Sequence, residues 1–170
     1  GCVSPAATLG EAAALMIDKR ISSVIVVDHG QAVGILTEGD LLHAMREHRA
    51  MQIPASAVMT SPVHCVPAAT DFREAYRTGA RLGIRHIVVT DENGLPVGVA
   101  SESEFRRHLG SDFFRHLNDV DALMDRMFPR LPPDASLDAA LSAMEASRAS
   151  CAVVVAGRRP IGILTERDVV

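Results

Sequence analysis

The sequence predicts an α+β fold assembled from three copies of one β-α-β-β-α unit, the third of them partial. Three observations predict it. The segments VVDHGQAVGILTEGD, VVTDENGLPVGVASESE and VVVAGRRPIGILTERD align on Gly34, Gly98 and Gly162, a constant period of 64 residues. A second landmark precedes each copy: SPAATLGEAA from Ser4, VPAATDFREA from Val66 and PPDASLDAAL from Pro132. Every copy also places turn residues between two apolar runs.

Each element follows from local chemistry. A short extended piece ends at Pro5, Pro67 or Pro133, and an amphipathic helix follows. In the first copy Thr8 and Glu11 form a capping box, with Leu9, Ala12, Ala13 and Met16 on one face. In the third, Ser136 is the N-cap and Leu137, Ala140, Leu141 and Met144 make the stripe. The paired runs VIVV with VGIL, IVV with VGVA, and AVVV with IGIL are apolar on both faces, as strands covered on both sides are. Turns fall at Asp28-His29-Gly30, Asp91-Glu92-Asn93-Gly94 and Gly157 before Arg158-Arg159-Pro160. A helix beginning near Thr37 or Ser101 closes the unit.

One unit of about 60 residues buries too little surface to be stable alone, so the repeats are expected to pair sheet to sheet. Repeat 1 spans residues 1–50 and repeat 2 spans 51–109. A helical connector at 110–119 leads into repeat 3 at 120–170. The connector belongs to the charged stretch SESEFRRHLGSDFFRHLNDVDALM, which includes Phe113 and Phe114. The first copy starts inside its opening strand and the third stops where its last helix should begin, so a longer parent chain is expected.

Composition narrows the function classes. Apolar residues make up 48% and charged residues 22%, a globular balance. Aromatics are 4%, so the core is expected to be built from Ala, Val, Leu, Ile and Met. A net charge of −4 without a run of Lys or Arg argues against a nucleic-acid partner. No apolar stretch approaches the roughly 18 to 20 residues that span a bilayer, so no membrane partner is expected. Cys2, Cys65 and Cys151 are far apart and lack C-x-x-C spacing, which fits small buried thiols in a reduced, cytoplasmic protein.

Catalytic and metal-binding signatures are missing. No Ser, Cys or Thr has a recognisable elbow or a base at a telling distance. Gly30, Gly34, Gly94 and Gly98 belong to turns and strand starts and form neither G-x-G-x-x-G nor a Walker loop. His43 and His48, five apart, share no helical face as a zinc pair would, and His64, His108 and His116 have no partner at ligand spacing. The chain itself is expected to be no enzyme and to hold no cofactor or metal.

The pattern G-h-h-T-x-x-D after a hydrophobic strand pair, repeated at this spacing, resembles the CBS domain, and two such repeats in tandem resemble a Bateman module. The likeness covers nearly all of the chain. It implies a regulatory sensor in which an adenosine derivative (AMP, ADP, ATP or S-adenosylmethionine) lies in clefts between paired repeats and alters the geometry of a homodimer. By position, Asp40 and Asp168 would hold ribose hydroxyls, while Thr37 and Thr165 would bond the ribose or phosphate. The second copy departs from the motif, with Ser101 for Thr and Glu104 for Asp. Adenine contacts would come from the entry of the preceding strand: Ser22, Ser23 and Val24, Arg85 and His86, and Ser150. Gly34 completes the ligand-binding set, and Arg85 suits a phosphate because its planar donor fork matches phosphate oxygens.

Thr37 to Asp40 has a second reading. [ST]-x-x-[DE] at a helix start is also a capping box, which binds nothing. A box prefers Glu, whereas two vicinal hydroxyls need a short carboxylate, so copies one and three are expected to keep pockets and GVASESE to be structural. The leading function is a ligand-sensing module that controls an attached output domain, with multi-CBS bacterial signalling proteins, including those of cyclic-dinucleotide signalling, as the nearest likeness. A non-binding dimerisation or spacer module is one alternative. A CBS insertion in a metabolic enzyme, as in inosine monophosphate dehydrogenases, is another.

Overall fold

A computed structural model describes residues 1–108, 124, 126–147 and 149–169. The first repeat runs β1 (Cys2–Val3), α1 (Leu9–Lys19), β2 (Ser23–Asp28), β3 (Gln31–Thr37) and α2 (Glu38–Arg46). The second runs β4 (Cys65–Pro67), α3 (Phe72–Leu82), β5 (His86–Thr90), β6 (Pro96–Ser101) and α4 (Glu102–His108). The third runs β7 (Arg130–Leu131), α5 (Leu137–Ala146), β8 (Cys151–Ala156) and β9 (Arg159–Thr165), ending in a 3-10 turn over Glu166–Asp168. The expected connector at 110–119, with Phe113, Phe114 and His116, lies outside the described residues.

Each repeat forms a three-stranded sheet whose central strand is parallel to the first and antiparallel to the third. The parallel pair needs a crossover, which the helix supplies, while the antiparallel pair needs only a tight turn. His29 (φ 46) and Gly30 (φ 82) provide the two positive φ values of a two-residue I′-type hairpin. A register shift follows Val26, Val89 and Val154, the residues paired with Gly34, Gly98 and Gly162. The bulge therefore recurs with the repeat.

The helices begin where their caps are. Thr8 and Glu11 make the expected box, and α1 buries Leu9, Ala12, Ala13 and Met16. Asp71 accepts from the backbone of Arg73 and Glu74 to start α3, and Gly83 (φ 66) ends it. Ser136 caps α5 by accepting from Ala139 N. Leu137 departs from its expected stripe: it is exposed, and α5 buries Ala140, Leu141 and Met144 instead.

Two cores do different work. Inside repeat 1, α1 and α2 cover the sheet through Leu9, Met16, Val24, Val26, Leu36 and Leu41. Between repeats, Ile25 and Ile35 pack against Val88, with Val27, Val63 and Val99 around them. This is the expected sheet-to-sheet pair, and it buries both faces of β2. Repeat 2 corrects the aliphatic-core expectation. Phe105 is buried with Ala75 and Ile87, and Tyr76 meets its ring edge-on at 5.7 Å.

The third repeat corrects a second expectation. Its β9 has the same apolar pattern as β3, yet Ile161 and Ile163 are 55% and 62% exposed. Among the described residues no second sheet covers that face, and a strand's pattern cannot supply its own cover. The cysteines also differ from expectation: Cys2 and Cys65 are exposed and Cys151 is half-buried. Cys2 and Cys65 sit on the short outer strands β1 and β4.

Ion pairs join repeat 3 to repeats 1 and 2. Glu145 of α5 takes His43 at 3.0 Å and Arg46 of α2. Glu166 lies 3.5 Å from Arg85, and Arg167 lies 3.3 Å from Glu38.

Candidate functional site

Ser22 and His86 occupy the same place in successive copies, and they meet across the join of the two repeats. Ser22 Oγ lies 3.1 Å from His86 Nε2. Burial, and after it the Arg85 charge, holds the His86 pKa below its usual value, against the opposing pull of Asp40, Glu104 and Glu102. The imidazole is therefore neutral near pH 7 and offers one donor and one acceptor.

Both residues line two clefts. One, of about 340 Å³, is bounded by Thr37, Glu38 and Gly39 at the start of α2, by Arg85, and by Ser101, Glu102 and Ser103 at the start of α4, with Glu166 reaching in from repeat 3. The other, of about 550 Å³, lies between Cys2, Arg20, Ile21 and Ser23 of repeat 1 and Val97, Gly98, Ser101 and Glu104 of repeat 2. Both volumes fall in the roughly 300–1,000 Å³ range of small-molecule sites. The roomier cleft is the one beside Glu104, opposite to the expectation that GVASESE is merely structural.

Gly34 and Gly98 also differ in what covers them. Met59 and Thr60 lie across β3, where Thr60 exchanges backbone hydrogen bonds with Ile35. A β-carbon at position 34 would stand 2.9 Å from Met59 Cγ and 3.2 Å from Thr60 O, whereas one at 98 would meet nothing within 4 Å. The segment from Met59 thus fills over Gly34 the space that stays open over Gly98.

In all three motifs the acidic side chain takes the N-cap backbone N–H, and the reciprocal bond that completes a capping box forms at Thr37 and Thr165. Thr37 N and Oγ1 donate to Asp40 Oδ2 at 2.8 and 2.7 Å. Ser101 N and Oγ donate to Glu104 Oε2 at 2.8 and 3.0 Å. Thr165 N and Oγ1 donate to Asp168 Oδ2 at 2.8 and 2.7 Å, and these bonds hold the Asp168 pKa below its usual value. Asp and Glu therefore take that N–H alike, so residue choice does not separate a capping role from a binding one.

The remaining sequence candidates divide. Ser23, Thr37, Arg85, His86, Ser101 and Glu104 come together on the cleft walls. Val24 is fully buried in the repeat 1 core, and Gly34 lies beneath Met59. Asp40, Thr165 and Asp168 line neither cleft, although Thr37 and the neighbours Glu166 and Arg167 do. Sequence reasoning passed over Glu166, Arg167 and Gly39. The change from TEGD to TERD marked Arg167, whereas Glu166 repeats Glu38 and carried no mark.

Comparison with known proteins agrees with this architecture. The family model described as CBS domain matches residues 2–47, 55–111 and 119–170. A CBS domain-containing protein of Bacillus subtilis, YhcV, is 32% identical over 100 residues, 58% of this chain and 71% of its own length. An uncharacterized 17.7 kDa protein of Acidianus ambivalens is 32% identical over 108 residues, 63% of this chain and 65% of that protein. Among solved structures, Methanocaldococcus jannaschii protein MJ1225, proposed as an archaeal homolog of g-AMPK, superimposes with a TM-score of 0.86 at 20% identity. That match covers 99% of this chain and 66% of the other, so this chain is about two thirds as long. The Pyrobaculum aerophilum CBS domain protein PAE2072, solved in complex with AMP, aligns with a TM-score of 0.57 at 26% identity, over 61% of this chain and 80% of its own.

Proposed function

The chain belongs to the CBS domain family, and from that premise we propose that it is a regulatory module that binds an adenosine nucleotide in the clefts between repeats 1 and 2. What carries this is the cleft of about 550 Å³ beside Glu104, with the neutral His86 and Ser22 on its wall. The AMP complex of the Pyrobaculum protein supports the choice of ligand class. The repeats at 1–50 and 51–109 form the sensing pair. The 110–119 segment joins them to the repeat at 120–170, and the module controls an output domain of a longer cytoplasmic protein, with cyclic-dinucleotide signalling as one such output.

Each residue has a role in this reading. The cap engages Oε2 of Glu104 and its other oxygen, Oε1, meets a ribose hydroxyl, while Asp40 acts from behind the smaller cleft by holding Thr37 on its wall. Ser23 and the strand entries contact the base through their backbone. Arg85 meets the phosphate.

Thermal melting with AMP, ADP, ATP and S-adenosylmethionine tests the proposal. A ligand at about 100 times its Kd stabilises by about 2.7 kcal/mol. Glu104→Gln and Asp40→Asn, each measured against its own unliganded baseline, should shrink that shift. If no adenosine compound moves the melting point, the binding role is wrong. A non-binding spacer module, in which the motifs serve only as helix caps, would then stand.

A further inference from the structure

In the nucleotide-sensing role Arg85 meets a ligand phosphate, yet its guanidinium already has an anion. Nη2 lies 3.5 Å from Oε2 of Glu166, a residue of the third repeat. The other oxygen of that carboxylate, Oε1, stands 3.4 Å from where a β-carbon on Gly39 would be. The carboxylate therefore sits over the first turn of α2, a nine-residue helix whose amide dipoles favour negative charge there. Gly39 leaves room for it, where the other copies carry Ser103 and Arg167.

Resting on that sensing role, we propose that Glu166 is a built-in occupant of the anion position of the smaller cleft, of about 340 Å³: the phosphate of a nucleotide bound there displaces its carboxylate from between Arg85 and Gly39, and so loosens the third repeat from the first two. A phosphate and a carboxylate about 4 Å apart repel by about 1–4 kcal/mol between water and a protein surface, so the two compete for the position. The third repeat is held loosely enough to yield. Its remaining contacts include two ion pairs that each have one exposed partner: Arg167, 65% exposed, with Glu38 at 3.3 Å, and Glu145, 49% exposed, with His43 and Arg46. Ion pairs this exposed contribute little each. A cavity of about 330 Å³ lies between α2 and α5, lined by Leu42, Leu141 and Met144, so that face is not close-packed. Nucleotide binding and third-repeat docking are then reciprocally coupled. Adenosine, which lacks the phosphate, leaves Glu166 in place.

The test is calorimetric titration of AMP and of adenosine into the whole chain, wild type and Glu166→Gln, with hydrogen exchange on the wild type. Glu166→Gln keeps the size of a side chain that is only 20% exposed and removes its charge. AMP should bind the variant roughly three- to tenfold more tightly than wild type, with adenosine affinity unchanged. AMP, and not adenosine, should raise amide exchange in α5 and residues 166–168. AMP binding to the variant alone would be the same competition at its limit. Equal AMP affinity for both proteins overturns the competition and leaves nucleotide sensing intact. A gain shared equally by adenosine also overturns it, because the effect would not be phosphate-specific. Failure of AMP to bind either protein overturns the competition and the sensing role together.

Discussion

Ile35 and Ile163 stand at the same place in the motif, two periods apart, and pair with Ile25 and Val153 on the central strands of their sheets. Their surroundings differ. Ile35 is 6% exposed and packs with Ile25 and Val88, while Ile163 is 62% exposed. Truncation of each to Ala removes the same atoms, so any difference reports burial. Three carbon groups at about 0.8 kcal/mol each, plus a cavity term, put Ile35→Ala in the range of about 2–5 kcal/mol. Ile163→Ala loses only the covered part of that surface and should cost below about 1 kcal/mol. Loss of strand propensity is common to both and cancels. Hydrogen exchange resolved by peptide reads each loss in its own repeat, which a single denaturation curve of three repeats cannot do. Equal losses would refute the reasoning, for they would mean that the third face is as fully covered in solution as the first. A loss below about 1 kcal/mol at Ile35 would refute it differently, since sheet-to-sheet packing would then not hold repeats 1 and 2 together.

The same geometry sets further outcomes. Gly34→Ala should destabilise by about 1–3 kcal/mol through contact with Met59 and Thr60, whereas Gly98→Ala should be close to neutral, as denaturant midpoints would show. His86 has a folded pKa below its unfolded value of about 6.5, so its contribution is complete above that pH and is lost as pH falls through the window beneath it. Melting curves from pH 8 to pH 5 should thus show a drop that His86→Gln removes and Arg85→Gln only lessens, because burial is the larger cause. Thr8→Ala and Thr37→Ala should each cost about 0.5–2 kcal/mol in the absence of ligand, since both lose a capping box; a far smaller loss at Thr37 in chemical denaturation would show that its cap does not act in solution.

Much of the fold was legible because it is local. Thr8 with Glu11 and Thr37 with Asp40 place caps three residues apart, and the apolar stripe of α1 turns inward for the same reason in any surroundings. The turn at His29 and Gly30 likewise needs only its own residues. The site was legible in part. Ser23, Arg85, His86, Ser101 and Glu104 converge as their positions in the repeats suggested. The unequal cover over Gly34 and Gly98 was not, because the space over Gly34 is taken by Met59, a residue 25 positions on whose packing no local pattern announces.

The sequence by itself determined the unit, its period and its capped motifs, since each depends on contacts within a few residues or across one hairpin. Only the tertiary structure decided how three nearly identical units differ. Burial depends on what lies opposite a face, so β3 is covered and β9 is open although both read alike. Charge depends on what comes near in space, so Glu166 reaches Arg85 across 81 residues and places an anion in the cleft. Repetition makes local structure predictable and leaves these long-range choices unspecified, because the same motif fits each environment equally well.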